Sequence, residues 1–233
     1  MLTHAQNEML TQTGPATPMG ALFRRFWIPV LLSKELPEPD GPPIRVKILG
    51  EELLAFRDTS GQVGLIEPRC PHRGANLFFG RNEEGGIRCV YHGWKFAADG
   101  ACLEIPTTEK DNPGYAALCQ RARIPAYPTA EWGECVWAYL GPPDAMPPLP
   151  EMEFALVGAD HRFVSKKLQE CNWAQSVEGA IDTAHFSFLH MPVSDARDVT
   201  DRLMQKVSSD TDTVRWMRAD GAPRFTKVYR PRR

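Results

Sequence analysis

Two short clusters, each combining one cysteine with one histidine, constrain this chain more than any other feature of its sequence. The first reads C-P-H and places Cys70 shortly before His72, and the second reads C-V-Y-H and places Cys89 shortly before His92. Thiolate and imidazole groups are common ligands of transition metals in proteins. Four such groups on two neighbouring segments predict a metal centre held between two loops.

The residues around these ligands are typical of loops. Pro71, Gly74 and Gly93 favour tight turns, and turns can direct backbone N–H groups towards ligand sulfur atoms. The plain alternative is a structural zinc site, because Cys₂His₂ is also a zinc-binding set. Zinc fingers usually pair cysteine with cysteine and histidine with histidine, whereas each loop here supplies one of each. The spacing therefore disfavours zinc.

The two clusters resemble the ligand loops of Rieske [2Fe–2S] proteins, in which two thiolates hold one iron and two imidazoles hold the other. The resemblance implies that Cys70 and Cys89 bind one iron, and that His72 and His92 bind the second. Replacing two thiolates by neutral imidazoles raises the potential to about −150 to +300 mV, against about −400 mV for an all-cysteine plant-type cluster. Such a centre can accept and pass on single electrons.

Composition and charge narrow the class of protein. A chain of 233 residues predicts one or two domains, and a net charge of −2 without a basic stripe gives no indication of nucleic-acid binding. The N-terminus has neither a secretory signal nor an apolar run long enough to cross a bilayer, so we expect a cytoplasmic protein with no membrane association. Four further cysteines are expected to be buried free thiols: Cys102, Cys119, Cys135 and Cys171.

The fold prediction is a mainly β Rieske domain, an antiparallel barrel or sandwich with cluster-binding loops, followed by the start of an α+β catalytic domain. From Ile44 the chain alternates short apolar segments with turn signals, and residues 87–91 and 122–126 are further strand candidates of this domain. The run from Lys95 to Ile105 predicts a hairpin with a type I′ turn at Asp99-Gly100, and residues 223–230 predict one more strand. Five prolines in residues 141–150 predict a linker. The predicted parts are an N-terminal arm (1–20), a Rieske domain (21–140), the linker (141–150) and a truncated catalytic domain (151–233).

A second constellation follows the linker. After a strand-like segment at 161–167, Asn172 is placed to cap a helix that continues towards His190. Asp182, His185 and His190 form the pattern D-x2-H-x4-H, which can bind a metal. Glu178, Asp182 and His185 lie four and three residues apart, so they are expected to share one face of the helix, whereas His190 would require the helix to distort or end nearby. Apolar residues at helical spacing predict a buried face on the same helix: Trp173, Val177, Ile181 and Leu189.

The order and spacing of both motifs resemble the Rieske non-haem iron oxygenases, and most closely the phthalate dioxygenase-like branch. The resemblance implies that His185 and His190 are two ligands of a mononuclear Fe(II) in a two-His-one-carboxylate triad, whose open positions take O₂. It makes Asp182 a bridge between a histidine of this site and a cluster histidine of a neighbouring subunit in a head-to-tail homotrimer. Three roles are open for Glu178: it takes part in the chemistry, it orients the ligands, or it is simply solvated. Orientation of the ligands is preferred.

One feature departs from this family. Its third iron ligand is a carboxylate far downstream of the second histidine, and the setting of the nearby aspartates Asp195, Asp198 and Asp201 identifies none of them as that ligand. We therefore expect the third ligand to lie outside this chain. The sequence is interpreted as a fragment with a whole Rieske domain and the beginning of a catalytic domain. Alone, it is expected to bind the cluster well and mononuclear iron poorly, and to be inactive.

The resemblance implies the oxygenase component of a multicomponent enzyme. A flavin/iron–sulfur reductase would draw electrons from NADH, and Fe(II) would activate O₂ to hydroxylate, dihydroxylate or demethylate an aromatic, carboxylated substrate. The main alternative is a Rieske electron carrier without oxygenase activity. A respiratory quinol-oxidising subunit is disfavoured, because Ala75 occupies the position of that family's extra cysteine and no anchor is evident.

Overall fold

The computed structural model describes residues 2–182 with their side chains, and residues 210–219 and 222–231 as backbone. The chain divides into two compact units, Met1–Leu168 and Gln169–Arg233. No helix in the described part of the chain is long and apolar enough to cross a membrane. The domain boundaries proposed from the sequence remain a prediction.

The first unit contains three α-helices, α1, α2 and α3, and three antiparallel sheets. The helices are α1 (His4–Thr11), α2 (Pro18–Phe23) and α3 (Tyr115–Arg121). One sheet has the order β1-β11-β10, with β1 (Trp27–Leu32), β10 (Thr129–Trp132) and β11 (Cys135–Tyr139). The second has the order β2-β3-β4-β9, with β2 (Ile44–Ile48), β3 (Glu51–Arg57), β4 (Val63–Ile66) and β9 (Ala126–Tyr127). The third has the order β5-β6-β7-β8, with β5 (Arg81–Glu83), β6 (Gly86–Arg88), β7 (Lys95–Phe96) and β8 (Cys102–Glu104).

Strand β3 separates two hydrophobic cores. Its side chains alternate, so that Leu54 and Phe56 enter one core while Leu53 and Ala55 enter the other. The first of these cores also contains Cys70 and Cys89. The two predicted ligand loops are therefore anchored by their cysteines in the same apolar interior.

The N-terminal segment, predicted as an arm, contains helix α1 and the start of helix α2, and both helices are capped. Thr3 accepts a hydrogen bond from Gln6 N–H in a capping box at the start of α1, and Thr17 caps α2. Arg24, which is buried, donates to the carbonyls of Thr13 and Leu49. These bonds hold the helices against the start of β3.

The hairpin between β7 and β8 is present, but its predicted turn type is wrong. Gly100 N–H donates to Ala97 O at 2.9 Å, and Gly100 alone of the Asp99-Gly100 pair has a positive φ, of 80°. A type I′ turn requires positive φ at both central residues. The observed connection is the three-residue form, in which a glycine in the left-handed region follows an ordinary turn.

Some predicted strand limits also change. The strand expected over residues 87–91 ends at Arg88, because Cys89 begins the second ligand loop. The segment expected as a strand from Ala122 instead begins with the end of helix α3, and only Ala126 enters β9. Helix α3 was not predicted. Its Tyr115 hydroxyl accepts a hydrogen bond from Ile105 N–H at 3.0 Å, which fastens the helix beside the end of β8.

The proline-rich run packs on the first unit. Trp27 Nε1 donates to Pro147 O at 2.8 Å, and Leu149 packs with the buried residues Leu32 and Trp137. Residues 162–167, predicted as part of a strand, form no strand, because side-chain alternation does not supply a neighbouring strand to pair with. This segment is instead held by an ion pair between Lys166 and Glu35.

The second unit contains one helix and a long hairpin among its described residues. Helix α4 spans Trp173–Ile181, and Asn172 caps it by accepting from Gln175 N–H at 2.9 Å, as predicted. Strands β12 (Asp210–Ala219) and β13 (Ala222–Pro231) pair antiparallel. The strand predicted over residues 223–230 is thus confirmed as part of β13.

Candidate metal centre

The first ligand loop is a tight turn closed by two backbone hydrogen bonds. Cys70 N–H donates to Ala75 O at 2.9 Å, and Gly74 N–H donates to Cys70 O at 2.8 Å. Gly74 has a φ of 71°, a left-handed conformation that glycine adopts without steric cost. The turn follows strand β4 and presents His72 at its tip.

The second ligand loop repeats this arrangement. Cys89 N–H donates to Trp94 O at 2.8 Å, Gly93 N–H donates to Cys89 O at 3.0 Å, and Gly93 has a φ of 75°. In both loops the glycine lies four residues after the cysteine, although the histidine positions differ by one. This similarity of the two loops was not predicted, although the equal spacing from cysteine to glycine was visible in the sequence.

The two thiols lie together in the interior. Cys70 and Cys89 are 2% and 3% exposed, and the Cys70 thiol lies within hydrogen-bonding reach of the Cys89 thiol. Burial raises the pKa of Cys70 to about 11, opposed by the backbone N–H groups of His72 and Arg73, which point at its sulfur. Such donors stabilise a thiolate.

The two imidazoles also lie together. The ring centroids of His72 and His92 are 4.5 Å apart, with an interplanar angle of 64°. Desolvation, with smaller effects of His92 and Arg73, lowers the pKa of His72, and the neutral imidazole is the form that binds metals. His72 Nδ1 is buried and has no hydrogen-bond partner within residues 2–182.

These residues fit a two-iron cluster. The thiols form one pair and the imidazoles form another, which is the division that a Rieske cluster requires of its protein ligands. Leaving a buried polar atom such as His72 Nδ1 without a partner costs about 1–3 kcal/mol, and binding a metal ion would offset that cost. Within the described residues, no three His, Cys, Asp or Glu side chains gather around one point suited to a single metal ion.

Arg88 supports the second loop from the preceding strand. Its guanidinium donates to Gly93 O at 3.0 Å and pairs with Glu83 at 2.6 Å and Glu104 at 2.9 Å. The Arg88 side chain is only 12% exposed. Its neighbours Val90 and Tyr91 are instead 59% and 63% exposed at the rim of the loop.

The second motif is only partly within the described residues. Asp182 ends helix α4 with an extended backbone, at ψ 132°, and its N–H donates to Glu178 O at 2.9 Å. The prediction that Asp182 and Glu178 share a helical face is therefore wrong, because the helix ends before Asp182. Both residues are exposed. His185 and His190 lie outside the described residues. Their role as ligands, and the bridging role of Asp182, stay predictions.

The predicted buried face of this helix is wrong in the part that the structure describes. Val177 is 46% exposed and Ile181 is 52% exposed. Helical spacing places such residues on one side of a helix but does not supply the surface that covers them. Leu189 lies beyond the described residues.

The remaining cysteines are free thiols, as predicted, but they are not all buried or isolated. Cys102 and Cys119 contact each other, and burial together with the adjacent Cys119 raises the pKa of Cys102 to about 12. Cys135 is buried, whereas Cys171 is exposed. The contact between β8 and α3 was missed because nothing in the sequence indicated that these two segments pack together.

Comparison with known proteins identifies the family. A model described as the Rieske [2Fe-2S] domain matches residues 26–128, and a model described as a LigXa C-terminal-like domain matches residues 138–230. The chain is 45% identical to the phthalate 4,5-dioxygenase oxygenase subunit of Pseudomonas putida, over 82% of this chain and 42% of that protein. The chain belongs to the Rieske non-haem iron oxygenases. The resemblance seen in its motifs is confirmed.

Further relatives of this Rieske oxygenase chain support the same branch. It is 45% identical to the 3-chlorobenzoate-3,4-dioxygenase oxygenase subunit of Comamonas testosteroni, over 84% of this chain and 44% of that protein. It is 40% identical to the 5,5'-dehydrodivanillate O-demethylase oxygenase subunit of a Sphingobium species, over 82% and 44%. The chain spans less than half the length of these curated relatives.

Solved structures agree with the fold. An oxygenase and ferredoxin complex of carbazole 1,9a-dioxygenase matches with a TM-score of 0.59 and 31% identity, over 77% of this chain and 44% of that chain. Dicamba monooxygenase bound to 3,6-dichlorosalicylic acid matches with a TM-score of 0.61 and 24% identity, over 85% and 53%. The predicted mainly antiparallel β Rieske fold is confirmed.

Proposed function

We propose that this chain is part of the oxygenase component of a multicomponent Rieske oxygenase that acts on a carboxylated aromatic substrate. The observation that carries the proposal is the pairing of two buried thiols and two imidazoles on matched loops. The D-x2-H-x4-H motif, in the segment similar to the LigXa C-terminal domain, extends it from electron transfer to oxygenation. When bound, the cluster would supply single electrons, and a mononuclear Fe(II) would supply O₂ activation.

The residues of the chain have distinct parts in this proposal. Cys70 and Cys89 would hold one cluster iron in the apolar core, where water is excluded, and His72 and His92 would hold the other nearer the surface. His185 and His190 would bind the mononuclear iron. Asp182 would accept hydrogen bonds from a histidine at each metal, the cluster histidine belonging to a neighbouring subunit of a homotrimer, and the exposed Glu178 would orient ligands.

The substrate class and redox partners rest on the relatives. The names of three relatives specify phthalate, 3-chlorobenzoate and phenoxybenzoate, all carboxylated aromatics. A further relative, 42% identical, is a tert-butanol monooxygenase, so aliphatic alcohols belong in any substrate screen. A solved relative is bound to a ferredoxin, which supports a separate electron-donor protein; we propose a reductase that uses NADH.

The test of the cluster is electron paramagnetic resonance of the anaerobically purified chain after reduction with dithionite. We expect a rhombic signal of low average g, with two irons and two sulfides for the cluster. Bound zinc without sulfide would overturn the assignment. Replacing His72 by alanine should abolish the rhombic signal, and replacing the exposed His161 should leave it unchanged.

The test of oxygenation is a single turnover. Because the chain alone is expected to bind mononuclear iron poorly, the protein is tested in a form that also supplies the third carboxylate ligand. The reduced, iron-loaded protein is exposed to isotopically labelled O₂ with each of a panel of benzoates and phthalates, and labelled products are sought by mass spectrometry. An iron count above two per chain and a labelled product would support the oxygenase. In Asp182→Asn, both metals should remain bound while substrate-dependent reoxidation of the cluster slows, and unchanged rapid reoxidation would remove the bridging role.

A Rieske electron carrier remains the second candidate, because the Rieske portion forms a compact unit by itself within residues 1–168. A carrier would show a reversible cluster, no binding of further iron and no labelled product. Substitution of His185 or His190 would also leave the reduction and reoxidation of a carrier's cluster unchanged. These outcomes separate the two candidates on the same sample.

A further inference from the structure

Trp94 lies directly against a predicted cluster ligand. Its indole ring stacks on the His72 imidazole, with ring centroids 4.6 Å apart and an interplanar angle of 2°. Trp94 is 8% exposed, and its carbonyl accepts the hydrogen bond from Cys89 N–H that closes the second loop. One residue of the second loop therefore fixes the orientation of a histidine in the first.

The Trp94 indole also carries a polar hydrogen without a partner. Among the described residues, four buried side-chain polar atoms lack a hydrogen-bond partner, and two of them, Trp94 Nε1 and His72 Nδ1, belong to the stacked pair at the centre. Buried tryptophan N–H groups usually find an acceptor, because an unsatisfied buried donor destabilises the fold. For comparison, Trp27 and Trp137 donate to Pro147 O and Trp132 O. The exception at Trp94 indicates an acceptor that the described residues do not supply.

We propose that Trp94 is a positioning residue of the cluster, which stacks on His72 and donates its indole N–H to a cluster sulfur. The inference rests on the proposed [2Fe–2S] centre. The sulfides of such a cluster carry negative charge, and they lie next to their iron ligands, so they are the acceptors that binding would bring to this position. Hydrogen bonds to cluster sulfur are one determinant of the reduction potential.

The direction of the effect follows from charge. Reduction adds an electron to the cluster and makes its sulfurs stronger acceptors. A donor N–H therefore stabilises the reduced form more than the oxidised form and raises the potential. The stacked ring has a separate effect, because it restricts rotation of the His72 imidazole about its Cβ–Cγ bond.

Two substitutions separate these contributions. Trp94→Phe keeps an aromatic ring beside His72 and removes the N–H, so the midpoint potential should fall while the rhombic signal keeps its shape. Trp94→Leu removes both, so the potential should fall and the signal should also broaden or shift. The matched control is Tyr91→Phe, because the Tyr91 ring lies 3.9 Å from the His92 ring but is 63% exposed. Its potential should remain that of the unsubstituted chain.

The potentials are measured by redox titration monitored by paramagnetic resonance, which requires no turnover. Pulsed resonance in ordinary and deuterated water adds a second readout: one exchangeable proton that is coupled to the cluster in the unsubstituted chain should be missing in Trp94→Phe. An unchanged potential together with an unchanged proton coupling in Trp94→Phe would overturn the hydrogen bond. Absence of any Rieske signal in the unsubstituted chain would instead overturn the proposed cluster, so the two failures are distinguishable.

Discussion

Replacing Arg88 by methionine should loosen the second ligand loop and accelerate loss of the cluster. The variant keeps the apolar stem but removes the hydrogen bond of 3.0 Å to Gly93 O and the ion pairs with Glu83 and Glu104. A hydrogen bond from a charged donor contributes about 1.5–3 kcal/mol, and partial access of water to the vacated site favours the lower half of that range, about 1.5–2 kcal/mol.

This free energy translates into a rate. Since about 1.4 kcal/mol corresponds to a factor of ten, the opened form of the loop should become roughly 10–30 times more populated. If the cluster leaves from the opened form, its loss should accelerate by about the same factor. The assay follows the decay of cluster absorbance in the presence of an iron chelator.

The matched control is Arg81→Met. Arg81 also pairs with Glu83, at 3.2 Å, but its side chain is 70% exposed, and exposed pairs contribute little. Its cluster should be lost at the rate of the unsubstituted chain. The reasoning would be refuted if Arg88→Met and Arg81→Met lost their clusters at rates within twofold of each other.

Three further outcomes are expected. His72→Cys should retain an iron–sulfur centre of lower potential, because a thiolate adds negative charge; an unchanged potential in a redox titration would show that His72 is not a ligand. Gly93→Ala should lower the thermal midpoint of unfolding more than Gly74→Ala. Both positions need a positive φ, but only at Gly93 would the new methyl group meet a neighbouring ring, that of Pro106, at 3.1 Å. Equal midpoints for the two variants would contradict this. The hydrogen bond from Arg57 lowers the pKa of Glu131, so this pair should stabilise the fold above the ordinary carboxyl pKa and lose that contribution as the pH falls through the lowered value. The difference in thermal midpoint between the chain and Glu131→Gln should accordingly narrow on acidification, and a constant difference would contradict the assignment.

The parts of the fold that could be predicted from the sequence are those with local signals. Strand β3 alternates its side chains between two interiors, and Asn172 caps a helix, so periodicity and capping chemistry located both elements. The ligand loops were located because each combines one cysteine with one histidine a few residues later, beside glycines that favour turns. These features depend on residues close together along the chain.

The features that were missed depend on contacts between distant segments. Helix α3 reaches its position through the bond between Tyr115 and Ile105, and the same packing brings Cys102 to Cys119. The stacking of Trp94 on His72 joins two loops and has no periodic signal in either. Conversely, the spacing of Val177 and Ile181 suggested burial that the described residues do not provide, because a pattern on one helix carries no information about its cover.

The double-sided burial of strand β3 has a consequence for how faithfully the ligands are placed. When a strand has one solvent-exposed face, a shift in pairing by one residue mainly exposes apolar area to water. In β3, the same shift would place Phe56 and Leu54 in the core now occupied by Ala55 and Leu53. Packing in both cores therefore favours the same pairing register of β3. Cys70 and Cys89 pack in one of these cores, so a shift in the pairing of β3 would also displace the cysteine ligands.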